Sequence, residues 1–441
     1  MKMANIDSIF NGMFTTAAPK NDILYFADIC AGPGGFSEYI LWRRCNAPYC
    51  MQSSRELNNN TDNPTNVNHH HNGDTIGEDT TTLIDPMNSS NAASMNSQHQ
   101  PVLSAKGYGL TLIGSCDFRE NDFLAGPKEA FMAHYGAAND GDITKWSNLA
   151  SFASFIGRST NNTGVHILLA DGDFDVSGQY NLQEVMCKQL YLCQCLCALI
   201  NLRPGGHFLM KLFDTFTEFT IGIIYLMGYL FEEIYIIKPV TSRPANSERY
   251  LVCKNLQSSF NGMAGCLPAP KSSKTSSARI NHSECMDQKS NFRQKTRKFP
   301  NQLHQPQQQT ITSSTDLVHD TEVNRKFGIL MDDDLVDAGN HNQSTSGAIG
   351  LIIKHFLNIN EKLNQLKMEQ SSLKMDILRI CHMDVIEQDE KFMEFIQGMN
   401  EDFAEQQCVA LSKLLTFSQN PQLMEDRQME LYKACLEKWQ V

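Results

Sequence analysis

Short apolar runs alternate with helix-like stretches in two parts of the chain, residues 1–44 and 105–256. The densest runs predict strands at Ile23–Ala27, Val165–Ala170, His207–Met210, Ile234–Lys238 and Leu251–Cys253. A regular exchange of short strands and helices is typical of an open α/β sheet. The longest uncharged apolar run not broken by Asn or Gln, Phe219–Phe231, is too short for a bilayer, which needs about 20 residues, and therefore predicts a buried helix.

Two stretches lack this periodicity. Residues 45–104 are rich in Asn, Ser, Thr and His, a composition that predicts a disordered insertion. Residues 257–345 are rich in Ser, Gln and Pro and carry an excess of basic side chains in their first half, which predicts a low-complexity basic linker. Within it, the string Arg293–Lys298 could be a nuclear address or an RNA contact, but a solvated linker is the simpler interpretation.

Helical periodicity returns in the last part of the chain. One helix face is predicted to carry Ile349, Ile353, Phe356, Leu357 and Leu363. Residues 346–441 are therefore predicted to form a small helical C-terminal region. Acidic side chains clearly outnumber basic ones over 331–441, so most of the net negative charge lies there and not in the predicted α/β core.

Composition narrows the possible functions. The 441-residue chain is 41% hydrophobic, which is enough for a globular core, and its formal net charge is −12. This charge argues against a protein that coats nucleic acid through a basic surface, but it allows RNA held in a local groove. The 14 cysteines are scattered, and no second Cys or His pair at zinc-finger spacing accompanies Cys193 and Cys197. We therefore expect reduced thiols in an intracellular protein, with no metal site and no membrane span.

A glycine-rich turn, Asp28–Phe36, follows the first predicted strand and precedes a helical stretch, Ser37–Arg43. Small residues in such a turn let a nucleotide-like ligand approach the backbone. The turn lacks the Gly-Lys-Ser/Thr ending of a P-loop and the Gly-x-Gly-x-x-Gly spacing of dinucleotide-binding folds. It therefore predicts a cofactor site of a different kind.

Three charged residues lie where chemistry is expected. Asp171 directly follows the strand Val165–Ala170, and the carboxyl ends of strands line the ligand crevice of an open sheet. Lys211 ends the apolar run that follows a Pro204-Gly205-Gly206 turn, where burial is costly unless the amine is paired or neutral. Glu248 lies in a loop rich in polar residues. Taken singly, each residue has a structural explanation. Asp171 could cap a helix, the side chain of Lys211 could extend to solvent, and Glu248 could pair with Arg243.

Taken together, these strings resemble the FtsJ-type RNA 2′-O-ribose methyltransferases, and among them the cap 1 type. The turn Asp-x-Cys-Ala-Gly-Pro-Gly-Gly-Phe-Ser is similar to the first S-adenosylmethionine motif of that family. The other strings that resemble animal cap 1 enzymes are Met1–Asn5, Leu169–Gly172, Asn181–Glu184, Lys211–Asp214 and Ser242–Tyr250. The resemblance covers the predicted α/β core, skips the insertion, and continues more weakly through Leu363–Leu366.

The resemblance implies a Rossmann-like methyltransferase sheet flanked by helices, with S-adenosylmethionine as cofactor and 5′-capped mRNA as substrate. The implied catalytic tetrad is Lys2, Asp171, Lys211 and Glu248. The implied cofactor-binding residues are Asp28, Cys30, Ala31, Gly32, Pro33, Gly34, Gly35, Phe36, Asp142 and Ile143, the last two at the adenosine end. The implied RNA-binding residues are Asn181, Leu182, Gln183 and Asn246.

Within this resemblance, methyl transfer requires a poorly acidic ribose hydroxyl to lose its proton as it attacks. A lysine whose ammonium form is disfavoured by burial and by a second lysine can accept that proton at neutral pH. We therefore expect Lys211 to be the base, Asp171 and Glu248 to orient it, and Lys2 to position the hydroxyl. Coupled groups titrate as a set, so the sequence leaves open which lysine is neutral.

Two positions depart from the family pattern. The family carries a longer stretch before the first lysine, so we expect Lys2 to be weakly held, either in an incomplete sequence or in an impaired enzyme. Asp173 stands where the family usually has glycine, and its charge is expected to raise the pKa of neighbouring carboxylates.

Three hypotheses follow for function. The first is an active enzyme that methylates the first transcribed nucleotide of capped mRNA to give cap 1. The second is a cap 2 or ribosomal RNA 2′-O-methyltransferase, and the third is a cap-binding relative without turnover. We favour the first, and we expect a nuclear protein with the transcription or capping machinery as further candidate partners.

Overall fold

The computed structural model describes residues 1–46, 104–258 apart from 175 and 177, 296–300, 348–368, 376–423 and 427–439. Most of the predicted insertion, residues 47–103, lies outside the described residues. The same holds for the predicted linker, apart from residues 257, 258 and 296–300.

The described residues form one mixed sheet with helices on both faces. The strands are β1 (Leu24–Ile29), β2 (Ala105–Leu110), β3 (Phe131–His134), β4 (Val165–Ala170), β5 (Leu202–Leu212), β6 (Phe231–Ile237), β7 (Arg249–Leu256) and β8 (Thr296–Pro300). The helices are α1 (Lys2–Ile9), α2 (Gly35–Leu41), α3 (Trp146–Ser159), α4 (Gln183–Asn201), α5 (Glu218–Leu230), α6 (Ala348–Met368), α7 (Met383–Glu387), α8 (Glu390–Gln419) and α9 (Gln428–Trp439).

The strand order is β3-β2-β1-β4-β5-β7-β6-β8. Strands β1 to β5 pair in parallel, β7 runs antiparallel between β5 and β6, and β8 is antiparallel to β6. The chain moves outward from β1 in one direction through β2 and β3, and in the other through β4 and β5. Open α/β sheets bind ligands at such a reversal of strand order, beyond the carboxyl ends of the strands. The predicted α/β fold is confirmed, and its crevice lies beyond the ends of β1 and β4.

Alternation along β1 divides the core into two layers. Leu24 and Phe26 pack with the residues of α1 and α2, whereas Ala27 and Ile29 face the helices on the opposite side of the sheet. This is the period-two pattern of a strand that is buried on both faces. The apolar run that the sequence analysis singled out forms α5, which is buried as predicted. No helix in the described part of the chain is long and apolar enough to span a membrane.

Two local predictions were wrong. The Pro204-Gly205-Gly206 segment is not a turn before β5 but lies inside it. Gly205 has a φ of +77°, and the pairing of β4 with β5 shifts register between Val165 and Ile167, so the strand is irregular at this segment. The predicted linker also contains β8, which pairs with the edge of the sheet at β6.

Helices α6, α7 and α8 contribute residues to the same buried cluster as the sheet. Helix α6 packs against α4 and α5, and α9 contacts α1. The buried face of α6 includes Phe356 and Leu363, as predicted, but Ile349, Ile353 and Leu357 are only partly buried. The predicted face was therefore rotated slightly from the real one, which also buries the polar residues His355 and Asn360.

Candidate active site

The glycine turn after β1 is held in a conformation that only small residues allow. A Cβ atom on Gly32 would lie 1.9 Å from the carbonyl oxygen of Cys116, and Gly34 has a φ of +109°. Gly35, in contrast, has no atom within 4 Å of the corresponding position. The backbone at the start of α2 is therefore open on one side, where a ligand can approach it closely.

Asp28 anchors this turn from within the core. It is fully buried, and its Oδ2 atom accepts hydrogen bonds from the backbone nitrogen of Ser37 at 3.1 Å and from its hydroxyl at 2.7 Å. Its Oδ1 atom is buried and has no hydrogen-bond partner among the described residues. Burial raises the pKa of Asp28 to about 8, so the group is largely neutral at neutral pH.

Lys211 and Asp171 meet at the ends of β5 and β4. The Nζ atom of Lys211 lies 3.1 Å from Oδ1 of Asp171 and 3.0 Å from its carbonyl oxygen. It also lies 3.1 Å from Oδ2 of Asp173. The lysine side chain is 6% exposed, whereas that of Asp173 is 50% exposed. The amine is thus buried beneath two carboxylates, one of which faces solvent.

Lys2 and Glu248 form a second ion pair. Lys2, the first residue of α1, places its Nζ atom 3.0 Å from Oε1 of Glu248. The same Oε1 atom accepts a hydrogen bond of 2.7 Å from the hydroxyl of Ser242. Although burial alone would raise it, the pKa of Glu248 is lowered, because Lys2, Ser242 and Lys211 all stabilise the carboxylate.

Tyr250 joins the two pairs, and the sequence analysis did not include it in the site. Its hydroxyl donates a hydrogen bond of 2.6 Å to Oδ1 of Asp171, and Nζ of Lys2 lies 5.6 Å from the centre of its ring. Tyr250 is directly opposite Lys211 in the antiparallel pairing of β5 and β7. Its ring centre also lies 6.2 Å from that of Phe36 in the glycine turn. The four predicted catalytic residues therefore converge around one buried tyrosine, next to the predicted cofactor turn.

Comparisons with known proteins agree with this arrangement. Residues 1–256 match the FtsJ-like methyltransferase family. The chain belongs to this family. It is also similar to cap-specific mRNA (nucleoside-2′-O-)-methyltransferase 1 of Danio rerio and of Homo sapiens, each 32% identical over 452 residues, and to methyltransferase 1A of Caenorhabditis briggsae, 30% identical over 464 residues. Each match covers 100% of this chain, which spans 36% of the length of the relative.

A solved structure with partial likeness is that of a putative ribosomal RNA methyltransferase from Plasmodium falciparum. It is 14% identical, and the match covers 57% of this chain and 96% of that one. Its TM-score is 0.30, which is too low to support an argument about the fold.

In this FtsJ-like methyltransferase, the surroundings of Lys211 favour its ammonium form, a point that the sequence left open. Burial lowers the pKa of Lys211, but the carboxylates of Asp171, Asp173 and Glu248 outweigh burial and raise it above its usual value. The second lysine of the tetrad, Lys2, forms an ion pair with Glu248. It is not among the groups that shift the pKa of Lys211. Lys211 is therefore an ammonium at neutral pH.

The loop that carries Glu248 depends on Lys238, another residue that the sequence analysis left out of the site. Its Nζ atom donates hydrogen bonds to Oδ1 of Asn246 at 2.9 Å, to the carbonyl of Asn246 at 2.7 Å and to the carbonyl of Glu248 at 2.8 Å. Burial lowers the pKa of Lys238 to about 8. Lys238 thus links Asn246 to Glu248 and stabilises the loop that carries them.

Five further predicted residues lie in two segments that follow β3 and β4 along the chain. Asp142 and Ile143 follow Gly141, which packs against the carbonyl of Thr111 just beyond β2. The exposed Asn181 and Leu182 lie in a single turn of 3₁₀-helix, and Gln183 begins α4. Among the described residues, no hydrogen bond or ion pair joins these five residues to the tetrad, so their predicted contacts with cofactor and RNA stay predictions.

Proposed function

We propose that this chain is an S-adenosylmethionine-dependent 2′-O-methyltransferase that acts on the first transcribed nucleotide of 5′-capped mRNA to give cap 1. The observation that carries the proposal is the convergence of Lys2, Asp171, Lys211 and Glu248 beside an open glycine turn. The names of the relatives supply the substrate, since each is called a cap-specific mRNA 2′-O-methyltransferase. The nucleus is the corresponding proposed location.

The crevice fits the proposed cofactor. The open side of Gly35 admits a ligand against the backbone, and the unpartnered Oδ1 atom of Asp28 leaves a polar group beneath the turn. Cys30 to Phe36 would hold the methionine end, and Asp142 and Ile143 the adenosine end. When bound, S-adenosylmethionine supplies an electrophilic methyl group on a sulfonium.

The residues of the chain then have distinct tasks. Lys2, fixed by Glu248, positions the ribose 2′-hydroxyl. Lys211, fixed by Asp171, would take the hydroxyl proton as the ribose oxygen bonds to the methyl carbon and the methyl–sulfur bond of the donor breaks, leaving a neutral thioether. Tyr250 keeps Asp171 in place by donating its hydrogen bond to the carboxylate. The close packing of these groups serves catalysis because orientation lowers the barrier when the reacting atoms are held in line.

Lys211 can accept the proton only after it has lost its own. Because the pKa of Lys211 is raised by its carboxylate neighbours, the rate of methyl transfer should rise with pH as the ammonium becomes an amine. Asp173 contributes to that rise in pKa, and it stands where the family usually has glycine.

Replacing Asp173 with glycine is expected to move the rising limb of the pH–rate profile to lower pH. Removal of one carboxylate destabilises the ammonium, lowers the pKa of Lys211 and raises the rate severalfold at neutral pH. The turnover number measured across a pH series tests this. Asp173→Asn, which keeps the size of the side chain, should shift the limb in the same direction, and an unmoved limb in both variants would show that Asp173 does not control Lys211.

Replacing Lys238 with methionine is expected to lower kcat/KM for RNA by about tenfold to 100-fold, because the loop that carries Asn246 and Glu248 loses its central donor. Cofactor affinity should stay unchanged, because the contacts of Lys238 are with this loop. Steady-state kinetics with each substrate varied in turn distinguish the two effects. The matched control is Lys254→Met, which removes a half-exposed lysine of β7 from its pair with Glu233. Equal kinetics in the two variants would contradict the role given to Lys238.

The proposed function is tested by methyl incorporation from radiolabelled S-adenosylmethionine into two RNAs of one sequence, one capped and one uncapped. Incorporation into the capped RNA alone is expected. Equal incorporation into both would favour a ribosomal RNA type of methyltransferase. Cap-dependent binding without incorporation would favour a relative without turnover.

A further inference from the structure

Two asparagines of α6 bind one carbonyl near the predicted cofactor residues. The Nδ2 atom of Asn360 donates to the carbonyl of Thr144 at 2.8 Å, and that of Asn364 donates to the same oxygen at 3.1 Å. Thr144 lies two residues after Asp142, in the segment that leads into α3. The C-terminal helical region therefore reaches the wall of the crevice, more than 200 residues away along the chain.

The other ends of these amides are fixed by α4. The Nε2 atom of Gln189 donates to Oδ1 of Asn360 and to Oδ1 of Asn364, each at 2.8 Å. The thiol of Cys193 lies 3.2 Å from the same Oδ1 atom of Asn360. Asn360 is 1% exposed, so its amide is locked with its oxygen toward α4 and its nitrogen toward Thr144. We call Gln189, Asn360 and Asn364 the amide ladder.

Thr144 passes this restraint on to Asp142. Its backbone nitrogen donates to Oδ1 of Asp142 at 2.9 Å, and its hydroxyl donates to the same atom at 2.8 Å. Asn148 donates to the carbonyl of Asp142 at 2.9 Å. All these contacts use Oδ1 or the backbone, and the side chain of Asp142 is only partly buried. No described residue donates a hydrogen bond to its Oδ2 atom, which can therefore accept one from a ligand.

We infer that the amide ladder is a positioning device for the cofactor, in which α6 fixes the carboxylate of Asp142 toward the hydrogen-bond donors of the bound adenosine. This inference rests on the proposed function, which places the adenosine end at Asp142 and Ile143. Asn360 and Asn364 act through Thr144 and are positioning residues. The C-terminal helical region is then part of the cofactor site and not an appendage of the methyltransferase sheet.

A positioning role and a purely structural role predict different effects on cofactor affinity. A buried asparagine that only stabilises the fold would affect unfolding and leave cofactor affinity unchanged. A positioning residue affects cofactor affinity even at temperatures where the protein is fully folded. His355 provides the matched comparison, because it is buried on the same helix and its Nε2 atom is hydrogen-bonded to the carbonyl of Ile380, outside the cofactor segment.

The test is calorimetric titration of the whole chain with S-adenosylmethionine, together with a thermal melt of each variant. Asn360→Leu is expected to weaken cofactor binding about tenfold, because one fixed donor to Thr144 is lost. His355→Leu should lower the melting temperature but change the dissociation constant by less than about twofold. Asn364→Asp, at a partly exposed position, keeps the acceptor for Gln189, loses the donor to Thr144, and should also weaken binding if Asn360→Leu does not fold.

Wild-type affinity in both Asn360→Leu and Asn364→Asp would overturn the inference. So would equal losses of affinity in Asn360→Leu and His355→Leu, because the effect would then be a general loosening of α6. No binding of S-adenosylmethionine by the wild-type chain would contradict the proposed function itself. Failure of the proposed function is thus seen in the wild-type chain, whereas failure of the inference is seen only in the variants.

Discussion

Replacing Lys211 with methionine is expected to lower the rate of methyl transfer by about 1000-fold, within the range that a positioned proton acceptor contributes. The side chain of methionine is similar in length but accepts no proton at neutral pH. Asp171 keeps its hydrogen bond from Tyr250, and Asp173 is half exposed, so both carboxylates remain stabilised without the amine. The variant should therefore fold. Single-turnover rates on capped RNA measure the effect.

Cofactor affinity provides the internal control for Lys211→Met. Lys211 contacts Asp171 and Asp173 and has no hydrogen bond to the glycine turn among the described residues. The dissociation constant for S-adenosylmethionine should thus change by less than about twofold while turnover is lost. The matched control variant, Lys254→Met, should keep both values. Turnover near the wild-type rate in Lys211→Met would remove this residue from the reaction.

Replacing Lys2 with methionine is expected to lower the rate by about 100-fold, because small displacements of a reacting group cost that much. Lys2 is the partner of Glu248 at 3.0 Å, and it lies over the ring of Tyr250. Without it, the hydroxyl loses its positioning group, and Glu248 loses the charge that lowers its pKa. Single-turnover kinetics on capped RNA measure the loss.

The control for Lys2→Met is Lys20→Met, which removes an exposed lysine from the same N-terminal segment. A general effect of positive charge on RNA binding would slow both variants and would diminish as salt is raised. A positioning role slows only Lys2→Met, and the loss persists at higher salt. If the two variants behave alike, Lys2 has no place in the tetrad.

The fold was largely predictable because its central strands are buried on both faces. Such strands are continuous apolar runs, and the predicted Val165–Ala170 has the same bounds as β4. The antiparallel direction of β7 was not predictable, because sequence periodicity does not show which strands pair with each other. The pairing of β8 was missed for a related reason, since it is made by backbone groups, and the polar composition of residues 257–345 gives no strand signal.

The candidate site was predictable in its members but not in its electrostatics. Asp171 and Lys211 were found because they end apolar strands, where a charge has to be paired. Tyr250 was missed because its position opposite Lys211 depends on the register of β5 and β7. A signal was present, however: Tyr250 stands two residues after Glu248, so the two side chains point to the same side of an extended chain. The raised pKa of Lys211 could not be predicted, because it depends on how many carboxylates surround the amine in the folded structure.

The amide ladder could not be predicted from periodicity. Asn360 lies on the buried face of α6, where the apolar pattern predicts a hydrophobic side chain. A buried amide is tolerated when all its groups are hydrogen-bonded, as those of Asn360 are. Polar residues on an apolar helix face are therefore positions at which a structure adds functional information to a sequence pattern.

The proposed target of this chain is the 2′-hydroxyl of the first transcribed nucleotide of capped RNA. The most direct measurement compares three capped RNAs of one sequence: unmodified, with 2′-deoxyribose at the first nucleotide, and with 2′-deoxyribose at the second. Methyl incorporation is expected into the unmodified RNA and into the RNA changed at the second nucleotide, and none is expected into the RNA changed at the first. Incorporation that survives the change at the first nucleotide and is lost with the change at the second would contradict the claim, because the target would then be the cap 2 position.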